Sequence, residues 1–172
     1  MFNKIIKQTH NKLLSSAKTI SIAESCTGGL LSSILTQTPG SSKYFLLGVA
    51  TYSNRSKELI LNIPAHIIIK YGAVSEKIAI LMAKNIRKKI NSDFGLSITG
   101  IAGPVRSGNP RRETSNKSGP AETTLNKPVG TVFIGLSYKN KNICRRFSFR
   151  GKRDEIRKKS AYEALRLLCA HL

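Results

Sequence analysis

Residues 19–29, Thr-Ile-Ser-Ile-Ala-Glu-Ser-Cys-Thr-Gly-Gly, decide the fold class of this chain. Residues 19–23 alternate and are rich in β-branched side chains, which predicts a short strand. The glycine pair that follows lets the backbone turn sharply, and a helix is predicted over 29–36. A strand that passes directly into a helix is typical of α/β proteins, so the sequence predicts that class.

Helical and strand periodicities recur on the C-terminal side of this stretch, and one helix precedes it. Helices are predicted over 3–17, 55–61, 75–90 and 152–170, and strands over 44–52, 94–99, 129–137 and 142–149. Pro64 is expected to end the helical turns at 55–61. Ser75 is expected to open the helix at 75–90, whose single buried face is predicted to consist of Ala79, Met82, Ala83, Ile86 and Ile90. The apolar run at 44–52 predicts a buried strand, and 139–141 is predicted to be a hairpin turn. This order predicts a three-layer α/β/α fold with a mixed β-sheet, and residues 1–172 are predicted to form a single domain.

Residues 103–128 have a different composition from the rest of the chain. They hold four of the six prolines and many Ser, Thr, Asn, Gly and Arg residues. A structureless segment of this length is about twice the usual upper limit for a loop, so it should be functional or disordered. We expect a long, basic, flexible loop at 105–127, with disorder at its centre.

Composition excludes several classes of protein. Hydrophobic residues make up 40% of the 172 residues, an ordinary value for a globular protein. No apolar run reaches the roughly 20 residues that span a bilayer, and the N-terminus lacks the apolar stretch of a secretory signal. A cytoplasmic protein is therefore expected. Three cysteines and three histidines are scattered along the chain, which argues against a disulfide scaffold or a metal site. No cofactor is expected.

The net charge of +20 is the one extreme value. It raises two possibilities, a nucleic-acid partner or a positive field that attracts an anionic small molecule. The basic residues are spread along the whole chain, and no aromatic-basic motif of an RNA-binding domain accompanies them. The sequence therefore favours an anionic small-molecule substrate over specific nucleic-acid recognition.

A first cluster of candidate site residues stands between the predicted strand at 19–23 and the helix after it. Functional groups of open α/β sheets collect at the carboxyl ends of strands, and N–H groups at a helix start can bind an anion or an oxyanion. The bland alternative is a structural turn with a capping Ser or Thr. The candidates are Glu24, Ser25, Cys26, Thr27, Gly28 and Gly29.

A second cluster, Thr51-Tyr52-Ser53-Asn54 with Lys57, ends another predicted strand. A serine needs a base before it attacks a carbonyl, and a lysine can serve when burial lowers its pKa. Tyr52 and Lys57 could reach the same sheet edge as Ser25. As alternatives, Tyr52 could cap the core with its ring, and Lys57 could be a solvated surface lysine.

A third cluster again runs from a strand into glycines and includes Thr99, Gly100, Ala102 and Gly103. It could be a tight turn, or a third wall of the same pocket, with N–H groups and the Thr99 hydroxyl facing a ligand. Three such junctions in one small domain favour a common pocket. The residues thus suggest a hydrolase site for a small anionic substrate, without naming it.

Five ordered blocks, AESCTGG, GVATYSN, YGAVSE, SITGIAGP and KPVGTVFIGL, resemble those of one family. This is the CinA C-terminal domain family, also described as nicotinamide-nucleotide amidohydrolases, and the resemblance covers nearly the whole chain. It implies hydrolysis of nicotinamide mononucleotide to nicotinic acid mononucleotide and ammonia. It also implies a homo-oligomer. Ser25, Tyr52 and Lys57 occupy the positions of the family's catalytic residues, with Cys26 as a rival nucleophile.

The sequence departs from this family in its longer, more basic loop after Pro104, in its charge, and at Lys152, where the family usually has an aspartate. These departures leave an alternative of another class open. The chain could be a non-enzymatic nucleotide-binding or regulatory module whose basic surface serves a nucleic acid or a protein.

Overall fold

A five-stranded mixed sheet forms the centre of the computed structural model, which describes residues 2–103 and 127–172. The strand order is β2-β1-β3-β4-β5. Strand β1 is parallel to β2 and β3, whereas β4 is antiparallel to β3 and to β5. The predicted mixed sheet is thus confirmed. The strands are β1 (Ile20–Glu24), β2 (Phe45–Ala50), β3 (Phe94–Gly100), β4 (Thr131–Tyr138) and β5 (Lys141–Ser148).

Six described helices cover the two faces of the sheet. Helices α1, α2 and α6 pack on one face, and α3, α4 and α5 pack on the other, which confirms the three-layer α/β/α prediction. No helix within the described ranges is both long enough and apolar enough to cross a membrane. The helices are α1 (Phe2–Ser15), α2 (Leu30–Thr36), α3 (Asn54–Leu61), α4 (Ala65–Tyr71), α5 (Glu76–Lys89) and α6 (Arg153–Cys169), with a 3₁₀ turn at Ser41–Lys43.

Helix α4 was not predicted, because Pro64 was expected to end the helical structure that precedes it. Proline instead occupies the N-cap position of α4, with φ −60° and ψ 138°. A helix start needs no N–H from its first residues, so proline is tolerated there. Ile68 then anchors this short helix by burying its side chain, which is 1% exposed.

The core lies on both faces of the sheet. The prediction of one apolar face on α5 is confirmed, since Ala79, Met82 and Ile86 are fully buried. Ile90 was expected to share this face, but the helix ends at Lys89 and Ile90 is 41% exposed.

Strand β2 corrects the prediction of a buried strand at 44–52. It is an edge strand whose residues alternate between half-buried and exposed, and Leu46 is 40% exposed. Phe45 packs against the core on one face of the sheet, and Leu47 and Val49 pack on the other, whereas Leu46, Gly48 and Ala50 are exposed. A long apolar run therefore does not by itself distinguish a central strand from an edge strand.

The topology brings the predicted clusters to one edge. Strands β1, β2 and β3 are parallel, so their carboxyl ends, which precede Ser25, Thr51 and Ile101, lie side by side. From β1 the chain crosses to β2 on one side, and β3 lies on the other. Such a reversal of strand order opens a crevice that open α/β sheets use for ligands. The predicted flexible loop at 105–127 lies, apart from Lys127, outside the described residues.

Candidate active site

Ser25 lies immediately after β1, at the carboxyl edge of the sheet. Its backbone N–H donates to the carbonyl of Ile98 in β3 over 2.9 Å, which extends the ladder between the two strands by one residue. The residue is 9% exposed. Ser25 is therefore held by the central strands of the sheet, and a small part of its surface remains accessible.

The amine of Lys57 reaches Ser25 from α3. Ser53 caps this helix, since its hydroxyl accepts from the N–H of Ser56 and the Ser56 hydroxyl accepts from the N–H of Ser53. Lys57 follows in the first turn, and long helical side chains point back toward the N-terminus. Its Nζ lies 3.3 Å from the Ser25 Oγ, 2.7 Å from the carbonyl oxygen of Thr51 and 3.5 Å from that of Tyr52.

Burial changes the acid–base behaviour of Lys57. The side chain is 1% exposed, and no carboxylate pairs with it within the described residues. Burial disfavours the charged amine and lowers the pKa of Lys57 from 10.5 to about 8. A neutral amine beside a serine hydroxyl can act as a general base, as the sequence analysis required.

Cys26, the rival nucleophile, is next to Ser25 but in a different environment. It is 6% exposed, and burial raises the pKa of its thiol to about 12. The reactive form of cysteine is the thiolate, so this thiol is a poor nucleophile near neutral pH. The environment of the two residues therefore favours Ser25.

Tyr52 reaches the same edge, but its hydroxyl is engaged elsewhere. The side chain is 61% exposed, and its hydroxyl accepts a hydrogen bond of 2.9 Å from Nη2 of Arg153 at the start of α6. In the described residues only the backbone carbonyl of Tyr52 approaches Lys57. The structure thus brings Ser25 and Lys57 into contact and leaves the phenol of Tyr52 outside that contact.

Glu24 was predicted to contact substrate, and the structure gives its side chain a different role. Its carboxylate is fully buried and accepts hydrogen bonds from the N–H groups of Gly29, Leu31 and Ser32 and from the Ser32 hydroxyl. The N–H of Gly28 donates to the carbonyl of Ser25. These N–H groups are therefore not available to a phosphate or an oxyanion, contrary to the expectation for Gly28 and Gly29.

Two N–H groups of the same turn have no oxygen acceptor among the described residues, and that of Cys26 contacts only its own thiol. Within the described residues, the backbone N–H groups of Cys26 and Thr27 donate to no oxygen atom. The Thr27 hydroxyl is buried and likewise lacks a partner there. The carbonyl of Thr27 accepts from Nε and Nη2 of Arg157. The N–H groups of Cys26 and Thr27 belong to consecutive peptide units, and they are the donors of this turn that a developing oxyanion could use.

The cluster at the end of β3 contributes backbone rather than side chains. The Thr99 hydroxyl donates to the carbonyl of Ala73 over 2.8 Å, so it does not face a ligand as predicted. Ala102 is buried in the core. A Cβ on Gly100 would lie 2.8 Å from the carbonyl oxygen of Thr131, and one on Gly103 would lie 3.1 Å from the Arg153 guanidinium. The two glycines thus permit close approaches at this edge.

Sequence reasoning missed two contributions to the site. One is the carbonyl of Thr51, which accepts from Lys57, because no sequence pattern reports which backbone oxygen a lysine will meet. The other is Arg153, which contacts Tyr52 from more than 100 residues away. Its only signal was its position beside Lys152, where the chain departs from the family pattern. Among the described residues, no group of three or more His, Cys, Asp or Glu side chains is placed to hold a metal ion.

Comparison with known proteins agrees with the fold and the motifs. The family model of the CinA C-terminal domain matches residues 2–112 and 113–172. A CinA-like protein of Geotalea daltonii is 43% identical over 150 residues, which are 87% of this chain and 32% of that protein. A putative competence-damage inducible protein of Desulforudis audaxviator is 39% identical over 166 residues, 96% of this chain and 36% of that protein. The chain thus spans about a third of the length of these relatives.

Solved structures match over almost the entire chain. The competence/damage inducible protein CihA of Agrobacterium tumefaciens has a TM-score of 0.83 and 29% identity, and the match covers 98% of this chain and 94% of that one. A CinA superfamily protein of Escherichia coli has a TM-score of 0.82 and 27% identity, covering 98% and 90%. The matching family model, the relatives and these structures agree, and the chain belongs to the CinA C-terminal domain family.

Proposed function

We propose that this protein hydrolyses the carboxamide of nicotinamide mononucleotide to nicotinic acid mononucleotide and ammonia. Ser25 is the proposed nucleophile and Lys57 its base. The observation that carries the proposal is the contact of 3.3 Å between the two side chains, in which a buried amine with a pKa of about 8 meets a serine hydroxyl. The substrate itself comes from the family resemblance.

In the proposed first step, neutral Lys57 removes the proton from the Ser25 Oγ as that oxygen attacks the carboxamide carbon. The resulting lysine ammonium is stabilised by the Thr51 carbonyl, which lies 2.7 Å from Nζ. The negative charge that develops on the carboxamide oxygen is met by N–H groups of the Ser25 turn. Lys57 then returns the proton to the leaving nitrogen, so that ammonia departs from an acyl-enzyme ester.

In the second step, Lys57 removes a proton from water, and the resulting hydroxide equivalent attacks the ester carbon. The tetrahedral intermediate collapses, Ser25 regains its proton from Lys57, and the carboxylic acid product is released. The Tyr52 hydroxyl accepts from Arg153 and keeps its own O–H for donation, and among the described residues it makes no hydrogen bond to Ser25 or Lys57.

The phosphate of the substrate needs a cation at this edge of the sheet. The N–H groups at the start of α2 are occupied by Glu24, so they do not supply it. Arg153 lies beside Tyr52 and Gly103 and carries a planar fork of donors that suits phosphate. We assign the phosphate contact to Arg153 as part of this proposal.

Release of ammonia from nicotinamide mononucleotide tests the proposal. Ser25→Ala should lower kcat by at least about 10³-fold, a loss that is typical when a serine nucleophile is removed. Cys26→Ala is the matched control, since it changes the neighbouring residue of the same turn, and it should retain activity within a few-fold. Full activity of Ser25→Ala, or loss confined to Cys26→Ala, would reject Ser25. An unmodified protein that binds the nucleotide without releasing ammonia would favour the non-enzymatic alternative.

A further inference from the structure

The carboxylate of Glu24 joins the end of β1 to the start of α2. One oxygen accepts from the N–H groups of Gly29 and Leu31, each over 3.1 Å. The other accepts from Ser32, over 2.8 Å from its N–H and 2.7 Å from its hydroxyl. Four donors on one side chain that is 0% exposed make an unusually complete set of contacts for a buried glutamate.

These contacts fix the turn that carries Ser25. Glu24 directly precedes the turn, and its hydrogen-bond donors directly follow it, so both ends of residues 25–28 are tied to one carboxylate. Gly28 and Gly29 adopt the left-handed φ values of 58° and 92° that this return requires. The contact of the Ser25 N–H with Ile98 ties the same turn to β3.

The hydrogen bonds of Glu24 also determine which N–H groups of this segment can contact a substrate. An anion would normally favour the first turn of α2, where free N–H groups concentrate. Glu24 occupies that place from inside the protein, and the substrate is left with the N–H groups of Cys26 and Thr27. Removing the charge of Glu24 would free the α2 donors and let the turn relax toward other acceptors.

We propose that Glu24 is a positioning residue for the reaction, which holds the Ser25 turn so that the Cys26 and Thr27 N–H groups stabilise the oxyanion. This inference rests on the proposed function only in taking Ser25 as the nucleophile. Glu24 touches no reacting atom, and it acts through the geometry of the turn.

Two variants and two readouts test this role. Glu24→Gln has the same size but replaces an acceptor oxygen with an amide that opposes the backbone N–H groups. It should lower kcat for nicotinamide mononucleotide about 10²-fold, the effect of losing an oxyanion donor, with KM changed less than about threefold. Glu24→Asp keeps the charge, but its side chain is one methylene shorter. Its kcat should therefore lie between those of the parent and Glu24→Gln. Thr36→Val, at the exposed end of α2, is the control and should match the parent.

Phosphonylation of Ser25 by a fluorophosphonate, in which the serine oxygen bonds to phosphorus and fluoride leaves, provides a readout that does not depend on the substrate. Its rate should fall in the order parent, Glu24→Asp, Glu24→Gln, while circular dichroism shows all variants folded. Equal labelling rates in parent and folded Glu24 variants would overturn the inference, as would a loss that appears only in KM. If Glu24→Gln fails to fold, Glu24→Asp decides by the same criteria. A parent that is labelled at Ser25 yet releases no ammonia would reject the proposed substrate and leave the role of Glu24 decided by labelling. A parent that is not labelled would reject both.

Discussion

The buried amine of Lys57 makes the stability of this protein depend on pH in a defined direction. Its pKa is lowered from 10.5 to about 8, and burial is the cause. A group with a lowered folded-state pKa contributes stability that is fully present above its unfolded-state pKa. That contribution is lost as the pH falls through the folded-state pKa. For Lys57, the window therefore runs from 10.5 down to about 8.

The magnitude follows from this change in pKa. One pKa unit corresponds to about 1.4 kcal/mol, so the charged amine lowers the free energy of unfolding by about 3 kcal/mol at pH 7. Most of that loss disappears by pH 10. Lys57→Met keeps the length of the side chain but cannot titrate, although it gives up the hydrogen bonds to Thr51 and Ser25 at every pH. The free energy of unfolding of the parent, measured relative to this variant, should therefore increase by about 2–3 kcal/mol between pH 7 and pH 10.

Urea unfolding followed by circular dichroism at pH 7, 8, 9 and 10 measures this difference. Lys77→Met is the matched control, because Lys77 is exposed on α5 and its loss removes the same charge. Subtracting each variant from the parent at each pH cancels the titration of the remaining lysines and tyrosines. A gap between parent and Lys57→Met that stays constant from pH 7 to pH 10 would refute the reasoning, since it would mean that water reaches the amine in the folded protein.

Three further predictions follow from the same structure. The kcat/KM for nicotinamide mononucleotide should rise about tenfold per pH unit until it levels off near the Lys57 pKa of about 8. A kcat/KM for ammonia release that does not change with pH would contradict Lys57 as the base. Tyr52→Phe should lower kcat less than about fivefold, because the lost hydroxyl pairs with Arg153; a loss of about 10²-fold would show that the phenol acts in proton transfer. Gly95→Ala should lower the free energy of unfolding by about 3 kcal/mol in urea titrations, because the added Cβ would overlap the carbonyl oxygen of Ala83. A loss below about 1 kcal/mol would show that α5 can shift away from β3.

Local sequence signals predicted most of the fold because they depend on local chemistry. The period of α5 and the capping residue Ser75 placed that helix within a residue of its observed start. The edge position of β2 was missed for a different reason. Burial of a strand depends on which strands lie beside it, and an apolar run at 44–52 carries no information about its neighbours. Likewise, Pro64 was predicted to end a helical segment, although the same residue permits a new helix, α4, to begin.

The candidate site was predicted in part. Ser25 and Lys57 meet because parallel strands place their carboxyl ends at one edge, a rule that sequence order alone can apply. Where each polar side chain points could not be predicted in the same way. Glu24 and Thr99 belong to the predicted clusters. Glu24, however, accepts from backbone N–H groups at the start of α2 and from the Ser32 hydroxyl, and Thr99 donates to the carbonyl of Ala73. Which of these partners a side chain meets depends on differences of a few tenths of an ångström in packing, which no motif encodes.

The position of Lys57 shows a conflict between stability and reactivity. A solvated lysine with a pKa near 10.4 is neutral in only about one molecule in a thousand at pH 7.5. With a pKa of about 8, roughly a quarter of the molecules carry the neutral amine at that pH. The same burial costs about 3 kcal/mol of stability, a substantial part of the 5–15 kcal/mol typical of a domain. Among the described residues, Lys57 has no carboxylate partner. A fold that keeps such a lysine beside a serine at this cost is better explained by a requirement for a base than by packing, because a methionine would fill the same space without the penalty.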